Sequence, residues 1–356
     1  MLIYKTVLSC RLKMTSRMET LTTPDYDDST MCNIIDLNDF SKTYLPPLYY
    51  IIFIISLVGN GVVLCIMYKF EKLNTVTNIF LLNLIASNIV FTFTLPFQAV
   101  SHSDEWIFGE MLCKLVNGCS YLGFYSSILF LTLMTFDRYL AVVHSVVANR
   151  QRRSCYAVLL SVIVWCVSLA ASLDLFVHFT VNEDNQMGGL VCEDPRESHW
   201  KMFALYKQFV LFFLFPLAVF VYCYSRIIIT VISTRIVGKH RTVRLIFIIV
   251  LMFFAFWSPY NIILLIHSNK NPKECDDSLE YPLRITNNIA RLYFCINPFF
   301  YTFLGKKFQN HVRRVLANKF VCLTQYESSS AEQQNSSLKI TGRTDNTPCS
   351  FNQRVH

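Results

Sequence analysis

The sequence predicts an all-α membrane protein: a bundle of seven transmembrane helices followed by a short amphipathic eighth helix on the membrane surface. Three observations lead there. The 356 residues are 53% hydrophobic and only 16% charged. The apolar residues gather in long runs, whereas the helices of a soluble protein each need a polar face. Lys and Arg cluster on alternate connections between those runs.

A helix crossing hydrocarbon about 30 Å thick needs roughly 20 mostly apolar residues. The runs that meet this requirement are Leu48–Met67, Ile79–Val100, Leu112–Val143, Ala157–Phe179, Met202–Ile232, Val243–His267 and Leu283–Phe303. The third and seventh are the least apolar, because they carry Asp137 with Arg138, and Arg291. The expected organisation is an amino-terminal arm at 1–45, the bundle at 46–304, a surface helix at 305–320 and a Ser/Thr-containing tail at 321–356. Met1–Ser16 mixes Lys5, Arg11 and Lys13 into too short an apolar core for a cleavable signal, so the first span is expected to direct insertion. Met14 and Met18 are candidate downstream starts, either of which would leave out Cys10.

Short basic loops stay in the cytoplasm. Lys69 and Lys72, then Arg150, Arg152 and Arg153, then Arg235, Lys239, Arg241 and Arg244 share one side with Lys306, Lys307, Arg313, Arg314 and Lys319. Acids occupy the other side: Asp25, Asp27, Asp28, Asp36 and Asp39, then Asp104 and Glu105, then Glu183 to Glu197, then Glu274 to Glu280. The expected topology is multi-pass in the plasma membrane with the amino terminus extracellular. The net charge of +8 therefore faces anionic inner-leaflet lipid and does not indicate nucleic acid. The outer surface is acidic and suits a basic extracellular ligand. Asp25, Asp27 and Asp28 surround Tyr26, a candidate sulfation site that would deepen the negative potential.

Topology also sorts the 13 cysteines. Cys113 at the head of the third span and Cys192 in the longest outer loop form one candidate disulfide; Cys32 in the arm and Cys275 in the last outer loop form another. Cys65, Cys119, Cys155, Cys166, Cys223 and Cys295 lie in or beside spans and read as small apolar side chains. Cys322 follows the basic amphipathic stretch Lys306–Phe320 and is a candidate for palmitoylation.

Polar groups within a span are costly. Asn60, Ser87, Asn88 and Asn297 read either as interhelical hydrogen-bonding groups or as functional ones. Pro298, after Asn297, and Pro259, after Trp257, each remove a backbone hydrogen bond and create a deformable joint. Asp137-Arg138-Tyr139 places an acid and a base together at the inner end of the third span. Mutual neutralisation would hold one arrangement, and release of Arg138 would change its neighbours. A plain interfacial charge pair is the alternative.

From about Pro46 to Phe320 these residues resemble the rhodopsin-like receptors, through Asn60, Asp137-Arg138-Tyr139, Trp165, Pro216 with Tyr224, Trp257 with Pro259, and Asn297-Pro298 with Tyr301. Within that family the chain is similar to chemokine receptors, through Pro46-Pro47-Leu48-Tyr49, Thr94-Leu95-Pro96, Trp106-Ile107-Phe108-Gly109, the segment from Asp137 to His144, and that from His240 to Phe247. Several stretches look most like the XC-type, or lymphotactin, receptor: Cys113-Lys114-Leu115-Val116-Asn117, the segment Phe124 to Ile128, and Leu173-Asp174. A CC-type receptor is the alternative, and a scavenging receptor without G-protein signalling is another.

The resemblance implies that the arm and outer loops grip a chemokine while its amino terminus enters the bundle. Tyr49, Gln98, Tyr121, Asp174, Tyr260 and Asn287 would line that cavity, with Asp174 as partner for a ligand cation. Asp137, Arg138, Tyr139, Tyr224, Trp257, Pro259, Asn297, Pro298 and Tyr301 would carry activation and coupling. Three departures from relatives stand out. Asn88 replaces a usual sodium-binding aspartate, Gln98 a common tryptophan, and Asn287 a frequent glutamate. The implied partners are a heterotrimeric G protein of the inhibitory class, leading to calcium release and directed migration, then receptor kinases and arrestin acting on tail residues such as Ser328, Ser329 and Ser330. No metal-ligand cluster, nucleophile elbow or phosphate loop appears, so the sequence excludes an enzyme and calls for no metal or cofactor.

Overall fold

The computed structural model describes residues 34–71, 73–144, 154–183, 189–234, 240–268 and 277–304. Tyr26 with Asp25, Asp27 and Asp28, Cys32, Cys275, Cys322 and the Lys306–Phe320 stretch lie outside the described residues.

Helix α1, Ile34–Phe70, begins well before the apolar run and continues through Pro46 and Pro47. Hydropathy locates the part that lipid surrounds, not the point where helical hydrogen bonding starts. The early turns of α1 are tied to the bundle by Arg284 Nη1, which donates to Ser41 Oγ at 2.7 Å.

The second span is two helices, α2 at Val76–Thr92 and α3 at Leu95–Ser103. Thr75 caps α2, its side chain accepting from the Asn78 amide. The break follows from Pro96, which sits in the first turn of α3, where its missing N–H costs no hydrogen bond. Thr94 Oγ1 closes the joint by donating to the Phe91 carbonyl at 2.7 Å.

Helix α4, Gly109–Val143, is central and packs against α2. It also packs against α5 (Ser154–His178), α7 (Phe215–Thr234) and α8 (His240–Ser268). Gly109 starts α4 at φ +75°, a region that other residues avoid, and its carbonyl accepts from Trp106 Nε1 at 2.8 Å. On α5, Val158, Leu159 and Val162 point outward, as a lipid-facing surface requires.

After α5 the chain forms an antiparallel hairpin, β1 (Thr180–Glu183) and β2 (Leu190–Glu193), with Val181 opposite Cys192. The hydropathy pattern gives no sign of it. The Cys113–Cys192 disulfide, with Cα atoms 5.7 Å apart, fastens β2 to the head of α4. The Trp106 amide donates to the Leu190 carbonyl at 2.6 Å, and the Leu190 amide donates to Glu105 Oε2 at 2.9 Å.

The fifth span runs through α6 (Ser198–Phe209), a π-helical turn at Val210–Leu214, and α7. Pro216 cannot donate to the carbonyl four residues earlier, that of Phe212, and the wide turn accommodates the loss.

Helix α8 contains Pro259, and α9, Asp277–Leu304, contains Pro282 and Pro298. Six helical spans among the described residues are long and apolar enough to cross a membrane. The seventh, α9, is 28 residues, about 42 Å, and is made more polar by Arg284, Asn287, Asn288 and Arg291. It closes the bundle by packing between α8 and α1. An aromatic core links the helices: Phe124 stacks on Trp257 at 4.1 Å, and Phe253 meets Tyr293 edge-on at 5.3 Å.

Candidate functional site

Above this aromatic core, toward the hairpin end, the bundle encloses a cavity of about 130 Å³. Phe124 and Trp257 are at its floor, and Asn117, Ser120 and Tyr121 of α4 form one wall. Phe91 and Gln98 contribute from α2 and α3, Gln208 from α6, Tyr260 from α8, and Asn287 and Arg291 from α9. Gln98, Tyr121, Tyr260 and Asn287 are thus brought together, as the family pattern implied.

Arg291 is the cation among the residues lining this cavity, and no residue near it in the sequence identifies its partner. Its Nη1 donates to Gln98 Oε1. Gln98 Nε2 in turn donates to Ser120 Oγ at 2.9 Å, and Ser120 Oγ lies 2.8 Å from Thr94 Oγ1. The guanidinium sits over the Tyr49 ring at 5.2 Å and near the Phe91 ring at 6.0 Å. Tyr49 is buried and is not among the lining residues; its ring meets the Arg291 guanidinium instead.

Asp174 lies at the rim, away from the cavity lining. Its Oδ1 is 3.1 Å from Lys207 Nζ and its Oδ2 is 3.2 Å from Arg196 Nη1. Arg196 also grips Asp194, with Nη2 to Oδ2 at 2.6 Å. Two acids and two bases thus neutralise one another between α5, the end of β2 and α6. Burial alone would raise the Asp194 pKa, but hydrogen bonds from Arg196 outweigh it and hold the carboxyl below its ordinary value. The same hydrogen bond raises the pKa of Arg196. Arg196 and Lys207 carried no local sequence signal beyond Lys207 interrupting an apolar run.

Beneath the aromatic core, Asn88 joins a neutral network. Its Nδ2 donates to Asn60 Oδ1 at 3.3 Å, and Ser127 Oγ donates to Asn88 Oδ1 at 3.1 Å. Asn60 Nδ2 donates to the Ser56 carbonyl at 2.9 Å, and Ser56 Oγ lies 2.7 Å from Thr92 Oγ1. Among the described residues no cluster of three or more His, Cys, Asp or Glu side chains converges on a metal position.

At the far end, Arg138 Nη2 is 3.1 Å from Asp137 Oδ2. Thr77 of α2 stands between them: Arg138 donates to Thr77 Oγ1, which donates to Asp137 Oδ2 at 3.0 Å. The pair is therefore a three-residue clasp joining α4 to α2. The Tyr139 hydroxyl lies 3.0 Å from His144 Nε2, and Tyr224 meets the Phe247 ring edge-on at 4.9 Å. Asn297 is fully buried, and Pro298 packs against α1, where a Cβ on Gly59 would lie 3.1 Å from Pro298 Cβ. Trp257 lies two residues before Pro259 on α8, and Tyr301 falls on α9 with its side chain outside the described residues.

Residues 59–301 match the family described as 7 transmembrane receptor (rhodopsin family). The chain is 36% identical over 301 residues to the C-C chemokine receptor type 3 of Cavia porcellus, covering 82% of this chain and 84% of that one. It is 36% identical over 309 residues to the C-C chemokine receptor type 1 of Homo sapiens, covering 85% and 87%. It is 38% identical over 305 residues to the probable C-C chemokine receptor type 3 of Mus musculus, covering 82% and 84%. These relatives are CC-type, and none of them supports the XC-type assignment drawn from short stretches. The chain is a multi-pass membrane receptor and not an enzyme. With a cavity open toward a disulfide-anchored hairpin at one end and a charge clasp at the other, it belongs to the rhodopsin family of seven-transmembrane receptors and, within it, to the chemokine receptors.

Proposed function

We propose that this chain is a CC-type chemokine receptor of the plasma membrane, with its amino terminus outside, that binds a basic extracellular chemokine and activates a heterotrimeric G protein of the inhibitory class. The observation that carries this reading is the similarity to C-C chemokine receptors along 82–85% of the chain. It is favoured over the XC-type reading because short matching stretches weigh less than agreement along the whole bundle.

Charge supports the same ligand class. Asp104, Glu105, Glu110, Glu183, Glu193 and Glu197 are exposed at the hairpin end, where they add to the acids of the arm. Such a field speeds and selects encounters with a cationic protein. At the other end Lys69, Arg226 and Arg244 are exposed, as a surface beside anionic lipid and a G protein requires.

The mechanism is a population shift. A ligand that binds the active bundle better than the inactive one favours outward movement of the inner end of α8, about the joint at Pro259. The clasp of Thr77, Asp137 and Arg138 opens, and Arg138 faces the G protein. Calcium release and directed migration follow; kinases and arrestin then act on the tail.

The test is a panel of purified chemokines on cells expressing the chain, read by calcium flux with and without inhibition of that G-protein class. Asp25, Asp27 and Asp28 are neutralised in parallel. Flux from CC chemokines, lost on G-protein inhibition and weakened by neutralisation, is expected. Flux from the XC class alone, or uptake without flux, would overturn the reading.

A further inference from the structure

We propose that the cavity is an anion site, in which Arg291 receives a carboxylate carried on the inserted end of the ligand.

Arg291 is the cation among the residues lining the cavity, and the rest of the lining is amide, hydroxyl and aromatic. Asp174, the acid expected to point inward, is engaged by Arg196 and Lys207 at the rim. Among the described residues, Arg291 is compensated only by a neutral oxygen on Gln98 and by the faces of two rings. Its Nε is buried and has no hydrogen-bond partner among the described residues. A guanidinium held within a membrane bundle without a counter-charge is costly, and an entering anion relieves that cost.

Shape and neighbours agree. Asn287 and Arg291 are four residues apart on α9, so they share a face and both line the cavity. Together they present an amide and a planar fork of donors, a combination that suits the two oxygens of a carboxylate. The cavity's volume of about 130 Å³ has room for an acidic side chain or a small carboxylate, and not for a bulky ligand. The receptor then reads two poles: an acidic rim takes the basic body of the ligand, and a buried cation takes an acidic tip. The anion site stands on the cavity geometry; its part in signalling rests on the chemokine reading above.

The experiment uses the full-length receptor purified in detergent, melted with N-acetylglycine or its uncharged amide at about 20 mM and matched ionic strength. The acid is expected to raise the melting temperature by about 2 °C, and the amide to leave it unchanged. Arg291→Gln should abolish the difference, and Arg291→Lys should keep part of it. Should Arg291→Gln fail to fold, the acid-against-amide comparison on the unaltered protein still decides. Equal shifts from acid and amide, or an acid shift that persists in Arg291→Gln, would overturn the proposal. In cells, chemokine potency should fall at least about tenfold in Arg291→Gln, with binding of the chemokine body retained. If no chemokine binds while the acid shift stands, the functional reading fails and the anion site survives; the converse result removes only the anion site.

Discussion

Lys207 Nζ donates to Asp174 Oδ1 at 3.1 Å and also to the Ala171 carbonyl at 2.7 Å, so one ammonium pins α6 to α5 at the rim of the cavity. Both charged side chains are largely shielded, at 16% and 24% exposure. Removing the acid leaves Lys207 and Arg196 facing each other with less compensation. Asp174→Asn should therefore cost about 1–3 kcal/mol in thermal or denaturant unfolding of the purified receptor. Asp174→Asn combined with Lys207→Met should recover part of the loss, because it also removes the stranded cation.

Gly123 is required by close packing. A Cβ there would lie 2.8 Å from the Phe91 nitrogen and the Ser87 carbonyl oxygen, both backbone atoms of α2 that cannot rotate away. Gly123→Ala should destabilise by about 1–3 kcal/mol. Gly61 has nothing within 4 Å of the same added carbon, so Gly61→Ala should be neutral or slightly stabilising. Melting curves of the two variants side by side check the contrast.

Asn88 keeps the mid-bundle network neutral. The unaltered protein should therefore show the same melting temperature in sodium as in choline buffer. Asn88→Asp places a carboxylate beside Asn60 and Ser127 and should create sodium dependence, worth about 1.4 kcal/mol at ten times the dissociation constant.

The clasp at the opposite end sets basal activity. Asp137→Asn or Thr77→Ala removes an acceptor or a bridge for Arg138. A loss of about 1–2 kcal/mol from the inactive arrangement raises the active fraction roughly 5–30-fold while that fraction is small. Ligand-independent G-protein activation in membranes measures it.

Asp194 makes the rim sensitive to acid. Its pKa is lower in the folded protein than in the unfolded chain, so its contribution to stability is fully present above the unfolded value near about 3.9 and is lost as pH falls through the folded value. Acidification below about pH 4 should loosen the rim in the unaltered protein, and Asp194→Asn should flatten that part of the profile. Hydrogen exchange of β2 amides across this range is the measurement.

The spans were legible in the sequence because lipid selects apolar length directly, and that signal needs no partner. The start of α1, the hairpin and the π turn were not, since each depends on hydrogen bonds that local composition does not reveal. Ser41 held by Arg284 is one instance: residues 243 positions apart fix where a helix begins. The cavity was half legible. Family position gathered Gln98, Tyr121, Tyr260 and Asn287, yet assigned Asp174 inward because nothing in the sequence showed Lys207 and Arg196 reaching it first. Arg291 was visible as an anomaly, and its role required seeing which neutral groups surround it.

The π-helical turn at Val210–Leu214 has one more consequence. One surplus residue swings everything on its hairpin side about 100° around the helix axis relative to an unbroken helix. That swing aims Gln208 into the cavity and Lys207 at Asp174, where regular winding would turn them elsewhere on the helix circumference. Deleting a single residue from this turn would tidy the backbone and scramble the wall of the cavity, so a local irregularity sets the facing of the whole upper segment.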